Sequence, residues 1–375
     1  MYIEEKMKKQ LLTFSLSLLA AAKMFALPPL LGDTSYKASS VDNLDFNMSW
    51  ENLQIKDAGA HNDQITVEVY CDKRKLAPKV KLSSSTLVIE SVPMKDLFFP
   101  VGPKHCTVIV YIPSKKDFEN VNIHLSSGNL EETSNITGGN LHIQISSGNI
   151  NTGFLTAKQT QITASSGAIK IKGLSSPKAL VQASSGKIDL DSILAKDLVV
   201  QTTSGAIKID SIDSEATAIS ASSGRISLKD VFSKSFNVST SSGGISVDGL
   251  LAESFSTSST SGTTGIELKG VPSKKSNVST TSGTIFISLP KNAAATIQAK
   301  TVSGSFINAF TKEKIGSPSD YKSDINGGGT LISLSTNSGR ITVDAGNGVA
   351  ELREIPAQTS NADDDVVQIS RPIFE

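Results

Sequence analysis

A Ser-Gly step recurs along this chain at a nearly fixed interval, and that period restricts the fold more than any local motif does. The glycines are Gly128, Gly148, Gly167, Gly186, Gly205, Gly224, Gly243, Gly262, Gly283, Gly304 and Gly339. Every gap from Gly148 to Gly262 is 19 residues, the flanking gaps are 20 or 21, and the last is 35. A unit this short cannot enclose a core of its own. It must stack on its neighbours, which is the definition of a solenoid.

Aligning the copies on the glycine exposes the apolar positions. Two residues after it stand Ile150, Ile169, Ile188, Ile207, Ile226, Ile245 and Ile285. Four after it come Ile171, Leu190, Ile209, Leu228, Val247 and Ile287, and seven after it Leu155, Leu174, Ile193, Ile212, Val231 and Leu250. Five before it are Ile162, Val181, Val200, Ile219 and Val238, and three before it the small Ala164, Ala183, Thr202, Ala221 and Thr240. Polar residues such as Lys170, Asp189, Gln182 and Gln201 fall between. Alternation with period two means strands with one buried face, not helices. The reading is all-β: one elongated solenoid with two short strands per coil, joined at the Ser-Gly corner and at one further bend. The glycine suits a corner because φ > 0 costs it little. The neighbouring Ser and Thr hydroxyls can bond to the turn and to their copies one rung away.

The ends of the chain read differently. Residues 1–26 have the form of a secretory signal peptide, with Lys8 and Lys9, an apolar stretch from Leu11 to Ala22, and small residues Ala20 to Ala22. No later stretch approaches 18 consecutive apolar residues, so no transmembrane span is expected in the mature chain. Residues 27–120 alternate as strands without the regular turn and are expected to cap the solenoid irregularly, since an open end is an unpaired sheet edge. Regular repeats occupy 121–308, a loop insertion 309–330, and a final coil with a C-terminal cap 331–375. The acidic run Asp363 to Asp365 fits a solvated turn. Cys71 and Cys106 are the two cysteines, and in an exported chain they make a candidate disulfide.

Thirty-six basic and 36 acidic residues cancel, which removes the electrostatic case for binding nucleic acid. The chain lacks a nucleophile elbow, a phosphate loop, a dinucleotide fingerprint and zinc-spaced Cys or His pairs, so no catalytic residue, cofactor or metal is assigned. Of the four histidines, His61, His105, His124 and His142, the last two should point outward on adjacent rungs. Asp189, Asp191, Asp210 and Asp248 hold outward positions, with Asp191 and Asp210 expected as rung neighbours. Lys170, Lys172, Lys208 and Lys229 share those columns, which favours an ion-pair ladder over a carboxylate site.

These features resemble the bacterial putative-adhesin β-strand repeat family, a domain of unknown function built on Ser-Gly-x-Ile-x-Ile. That motif stands here as Ser166-Gly167-Ala168-Ile169-Lys170-Ile171 and as Ser204-Gly205-Ala206-Ile207-Lys208-Ile209. The lead-in Val108 to Pro113, running to Leu125-Ser126-Ser127-Gly128, is similar to the family too, as is Gly327-Gly328-Gly329 before Ser338-Gly339. The resemblance implies a right-handed β-solenoid and supplies no catalytic motif. The expectation is an exported, non-catalytic protein that binds an unidentified protein or glycan at the cell envelope through an extended polar face, in the manner of an adhesin. A periplasmic envelope scaffold or stress-response accessory, and a carbohydrate-active β-helix enzyme, are the alternatives.

Overall fold

Alternating Ile and Val columns need a neighbour to bury them, and stacking supplies one. The computed structural model describes residues 27–59, 63–93 and 105–346. The signal-like segment 1–26, His61 and residues 347–375 with their acidic run lie outside the described residues. Apart from two short 3-10 turns, the regular structure is β-strand. Successive coils pair in parallel and in register, as in Ile188 on Ile207, Ile207 on Ile226, and Ile226 on Ile245. Each of those isoleucines is at most 2% exposed, so the solenoid core is the stack of these ladders.

Each coil has three faces rather than the two expected. Between the coil starting at Ile188 and the next, pairing runs from Ile188 to Leu190, from Ser192 to Ala195, and from Asp197 onward. It lapses at Asp191 and again at Lys196, so there are two bends besides the Ser-Gly corner. The reason is the short middle face, where only Ile193 and Ala195 turn inward. A seventh inward column follows, seven residues before the glycine: Thr160, Ala179, Leu198, Thr217, Phe236 and Phe255, all buried.

The expected positive φ holds at Gly148, Gly167, Gly224, Gly243, Gly262 and Gly339, and a second cause acts at the other corners as well. A Cβ on Gly167 would lie 1.7 Å from the carbonyl oxygen of Gly148. Gly186 and Gly205 would each meet the oxygen below at 1.9 Å, without the left-handed φ that Gly167 has. Close approach of one turn to the next is therefore the shared requirement. Main-chain bonds hold these turns together, such as Gly167 N–H to Ser185 O and Gly243 N–H to Ser261 O.

Both ends depart from chain order. At the start, Asn43–Met48 and Asn52–Asp57 stack on residues 117–132. Thr86–Glu90 and Cys106–Ile112 then stack on the other side of them, outermost. At the far end Thr330–Gly346 lies directly on the coil of Ser276–Ser282 and Ile285–Pro290, and the earlier Ala295–Asn308 lies outside it. Residues 27–120 thus contribute parallel strands to two further rungs and not only an irregular cap.

Antiparallel strands close both ends. Gln64–Cys71 pairs with Cys106–Ile112, Leu30–Lys37 pairs with Gln64–Cys71, and Lys79–Ser83 pairs with Thr86–Glu90. The segment 309–330, expected to be a loop, holds Glu313–Gly316 and Tyr321–Ile325, both antiparallel to Ala295–Asn308. Strands laid across the last coil in the opposite sense do not offer a parallel edge for another coil. The 35-residue gap after Gly304 is the length of this cap plus the return into the stack.

Candidate interaction face

The three faces differ in charge. Before each corner, two outward columns run in register along the stack. One reads His142, Gln161, Leu180, Val199, Ala218, Asn237, Ser256, Asn277, Ser333, and the other Gln144, Thr163, Gln182, Gln201, Ser220, Ser239, Ser258, Ser279, Ser335. Neither column holds an Asp, Glu, Lys or Arg over that length. The first charges come beyond it, Asp45 at one end and Lys300 at the other. Gln182 donates to Gln201 across one rung at 2.8 Å. Among the described residues none partners the hydroxyls of Ser220, Ser239 or Ser258. Side chains shorten from Gln201 to Ser220 and from Val199 to Ala218. There the face dips into an open groove of about 250 Å³, floored by Ile219 and Val238 and edged by Gln201, Asn237 and Ser256.

One ladder of charged residues follows the corner, and a second row of ion pairs, Lys234 with Glu215 and Lys274 with Glu253, lies at the bend before the third face. Lys187, Asp189, Lys208 and Asp210 form a continuous ladder, with Lys187 to Asp189 at 2.5 Å, Lys208 to Asp189 at 3.6 Å and Lys208 to Asp210 at 2.8 Å. Burial pushes Asp189 up, but the hydrogen bond from Lys187 and the charges of Lys187, Lys208 and Lys170 outweigh it and hold the carboxyl below its ordinary value. The bond to Asp210 raises Lys208, helped by the charges of Asp210, Asp189 and Asp191. Asp191 and Asp210 occupy the corner at which pairing lapses, and Asp210 is engaged by Lys208 rather than facing a second carboxylate alone. This is the expected mixed ladder, worth little per exposed pair.

His124 and His142 sit on adjacent rungs in different columns, His142 beside Asn122 and His124 beside Gln144, so they do not form a stacked pair. Among the described residues no three His, Cys, Asp or Glu side chains gather as a metal site. No helix of the described residues is long and apolar enough to cross a membrane. Cys71 and Cys106 face each other across the antiparallel end strands, Cα to Cα 4.2 Å, and are bonded.

Three features escape a reading of the repeat. Glu51, fully buried, takes the place of the corner glycine under Gly128, and its Oε2 accepts the Ser49 and Trp50 amides and the Ser91 hydroxyl. Glu132 occupies an inward position of the Ile/Leu ladder, beside Ile55, and is 2% exposed. Burial raises its pKa to about 7, although the Gly153 amide at 2.9 Å and the charge of Lys172 pull the other way. Ser214, Ser233 and Thr217 form a buried hydroxyl triad. The signal for Glu132 is a carboxylate four residues after a corner glycine, where the other copies are almost all apolar. Ser214 and Ser233 share a column with Ala157, Ala195 and Ala252, so the position itself asks only for smallness.

The Toastrack DUF4097 family model matches residues 41–215 and again 180–344. No curated protein matches the chain. Among solved structures, a putative cell adhesion protein from Clostridium sporogenes is similar at 11% identity, over 84% of this chain and 99% of that one, with a TM-score of 0.19. A putative adhesin from Parabacteroides distasonis is similar at 14% identity over 85% and 98%, TM-score 0.35. A putative lipid binding protein from the same species is similar at 14% over 84% and 96%, TM-score 0.28. At these identities and scores the likenesses carry no functional argument.

Proposed function

We propose, from the premise that this chain belongs to the Toastrack DUF4097 family, that it is an exported, non-catalytic binding protein that works at the cell envelope in an adhesin-like way. Fold alone does not assign an activity, so the reading rests on the surface. The observation that carries it is the charge-free pair of columns from His142 and Gln144 to Ser333 and Ser335. A rigid sheet presents the same few polar groups at every rung, so many weak contacts add up along its length without a pocket. The Lys/Asp ladder satisfies itself and keeps the rest of the surface solvated. Segment 309–330, folded as an end cap, is assigned no part in contact.

The test is protease accessibility on intact cells, with lysed cells as control, followed by attachment of purified protein to whole cells. Cleavage on intact cells together with attachment is the expected result. Protection until lysis overturns the adhesin-like reading in favour of a partner inside the envelope.

A further inference from the structure

We propose that the groove on the charge-free face binds a neutral polysaccharide. The proposal rests on the reading above that this face is the contact surface, and adds the chemistry of what it contacts.

Three observations select that occupant. The two columns hold no Lys or Arg from His142 to Ser335. The nearest cation on that strand, Lys178, is stacked on Asp197 and stands outside the groove. The groove would therefore strip an anionic glycan or nucleic acid of its hydration without supplying an opposite charge. Its polar groups are hydroxyls and amides, namely Ser220, Ser239, Ser258, Gln201 and Asn237. Each both donates and accepts, as sugar hydroxyls do, whereas an ammonium or carboxylate would serve only one role. Leu180, Val199 and Ala218 stand beside them in the adjacent column and offer small apolar surface to the C–H faces of a sugar ring.

Shape decides against a second copy of the same chain. In a two-fold pair with its axis through the groove, groove faces groove and leaves a void. The depression around Ala218 and Ser239 is shallow and open to solvent, and a narrow strand of polymer can lie in it. Such a strand meets the same hydroxyl columns rung after rung, which converts weak single contacts into useful avidity.

The experiment is affinity electrophoresis of the purified full chain in gels containing mannan, dextran or mixed-linkage β-glucan, with alginate as the anionic comparison. Two variants accompany it. Ser220→Glu with Ser239→Glu places charge in the groove, and Lys170→Glu alters the opposite ladder. All substituted positions point outward, and thermal unfolding verifies that both variants fold. The expected result is retardation by at least one neutral polymer, insensitive to salt, weakened about tenfold or more by the groove variant and unchanged by Lys170→Glu.

Retardation by alginate alone overturns the proposal, as does retardation by no polymer. If the protein then still attaches to whole cells and the groove variant abolishes attachment, the polysaccharide is wrong while the contact face stands. If the protein attaches to nothing, both fail. A dimer in sedimentation that the groove variant dissociates also overturns the proposal, by making the face an interface between copies.

Discussion

Gly304 packs against the carbonyl oxygen of Gly339, and Gly339 packs against that of Gly283. The column of corner glycines therefore runs 283, 339, 304, and the last described strand is an inner member of the stack. Strand ends near a terminus ordinarily fray. Here Thr330–Gly346 is paired on one side with Ser276–Ser282 and Ile285–Pro290, and on the other with Ala295–Asn308. Its amides should exchange with solvent as slowly as those of Ile207–Ser223, and more slowly than those of Tyr321–Ile325. Fast exchange across 330–346 in hydrogen-exchange mass spectrometry would contradict this order.

The same column predicts which glycines tolerate a methyl group. In Gly167→Ala the new Cβ would lie 1.7 Å from the Gly148 oxygen, and the whole turn would have to move. A cost of about 1–3 kcal/mol is expected, as for other overpacked sites. Gly316 has nothing within 4 Å of a built Cβ. Gly316→Ala should fall within about 0.5 kcal/mol of the parent in urea unfolding.

Glu132 makes stability depend on pH in the reverse of the usual carboxylate sense. Its folded pKa, about 7, is above the ordinary 4.5 because burial disfavours the charge. Between those values the unfolded chain has released the proton and the folded chain has kept it. Stability from this group is therefore whole below pH 4.5, falls as pH rises, and levels off above 7. The loss from pH 5 to pH 8 is about 2–3 kcal/mol. Glu132→Gln should remove that component of the pH dependence and unfold at higher urea than the parent at pH 8. Parallel pH profiles for the two proteins would show that the carboxyl is not the source.

Residue types along the repeat differ in how much of the fold they encode. Inward Ile and Val columns were legible because period-two alternation repeats in phase with the glycine, and packing requires both. The spatial order of the end coils was not legible. A Ser-Gly corner marks where a coil turns but not which edge it pairs with, and Gly128, resting on Glu51, shows that the column continues where no glycine stands. Nor could two bends be told from one, since Asp191 and Lys196 look like ordinary outward residues. The charge-free columns were present in the sequence at Gln182, Gln201, Ser220 and Ser239. What they lacked was contrast, because the Lys/Asp columns draw the eye to chemistry that ion pairing already satisfies.

The bond between Cys71 and Cys106 ties the outermost coil to the antiparallel strand that covers it. With a sequence separation of 35 between the cysteines, loop-closure entropy alone would contribute up to about 4 kcal/mol. Cys71→Ala with Cys106→Ala should lower the unfolding midpoint and make the N-terminal end the first to yield to protease, while the coils from Ile188 to Ser261 stay resistant. Equal protection of both ends in the double variant would mean that main-chain pairing suffices there.

Ser233 offers a sharper test of what holds the middle of the solenoid. Its hydroxyl, completely buried, donates to the Ser235 carbonyl at 3.0 Å and lies within 3.1 Å of Ser214 and 3.3 Å of Thr217. Ser233→Ala removes one member and leaves two hydroxyls to satisfy each other, so the cost should be about 1–2 kcal/mol. Ser214→Ala should cost a similar amount for the same reason. With both serines replaced, the column from Ala195 to Ala252 presents only methyl groups, and Thr217 is left unpaired. The combined loss should then differ from the sum of the two by about 0.5 kcal/mol or more, the signature of a coupled network. Strict additivity in a double-mutant cycle would mean that each serine is present only because its position accepts a small side chain.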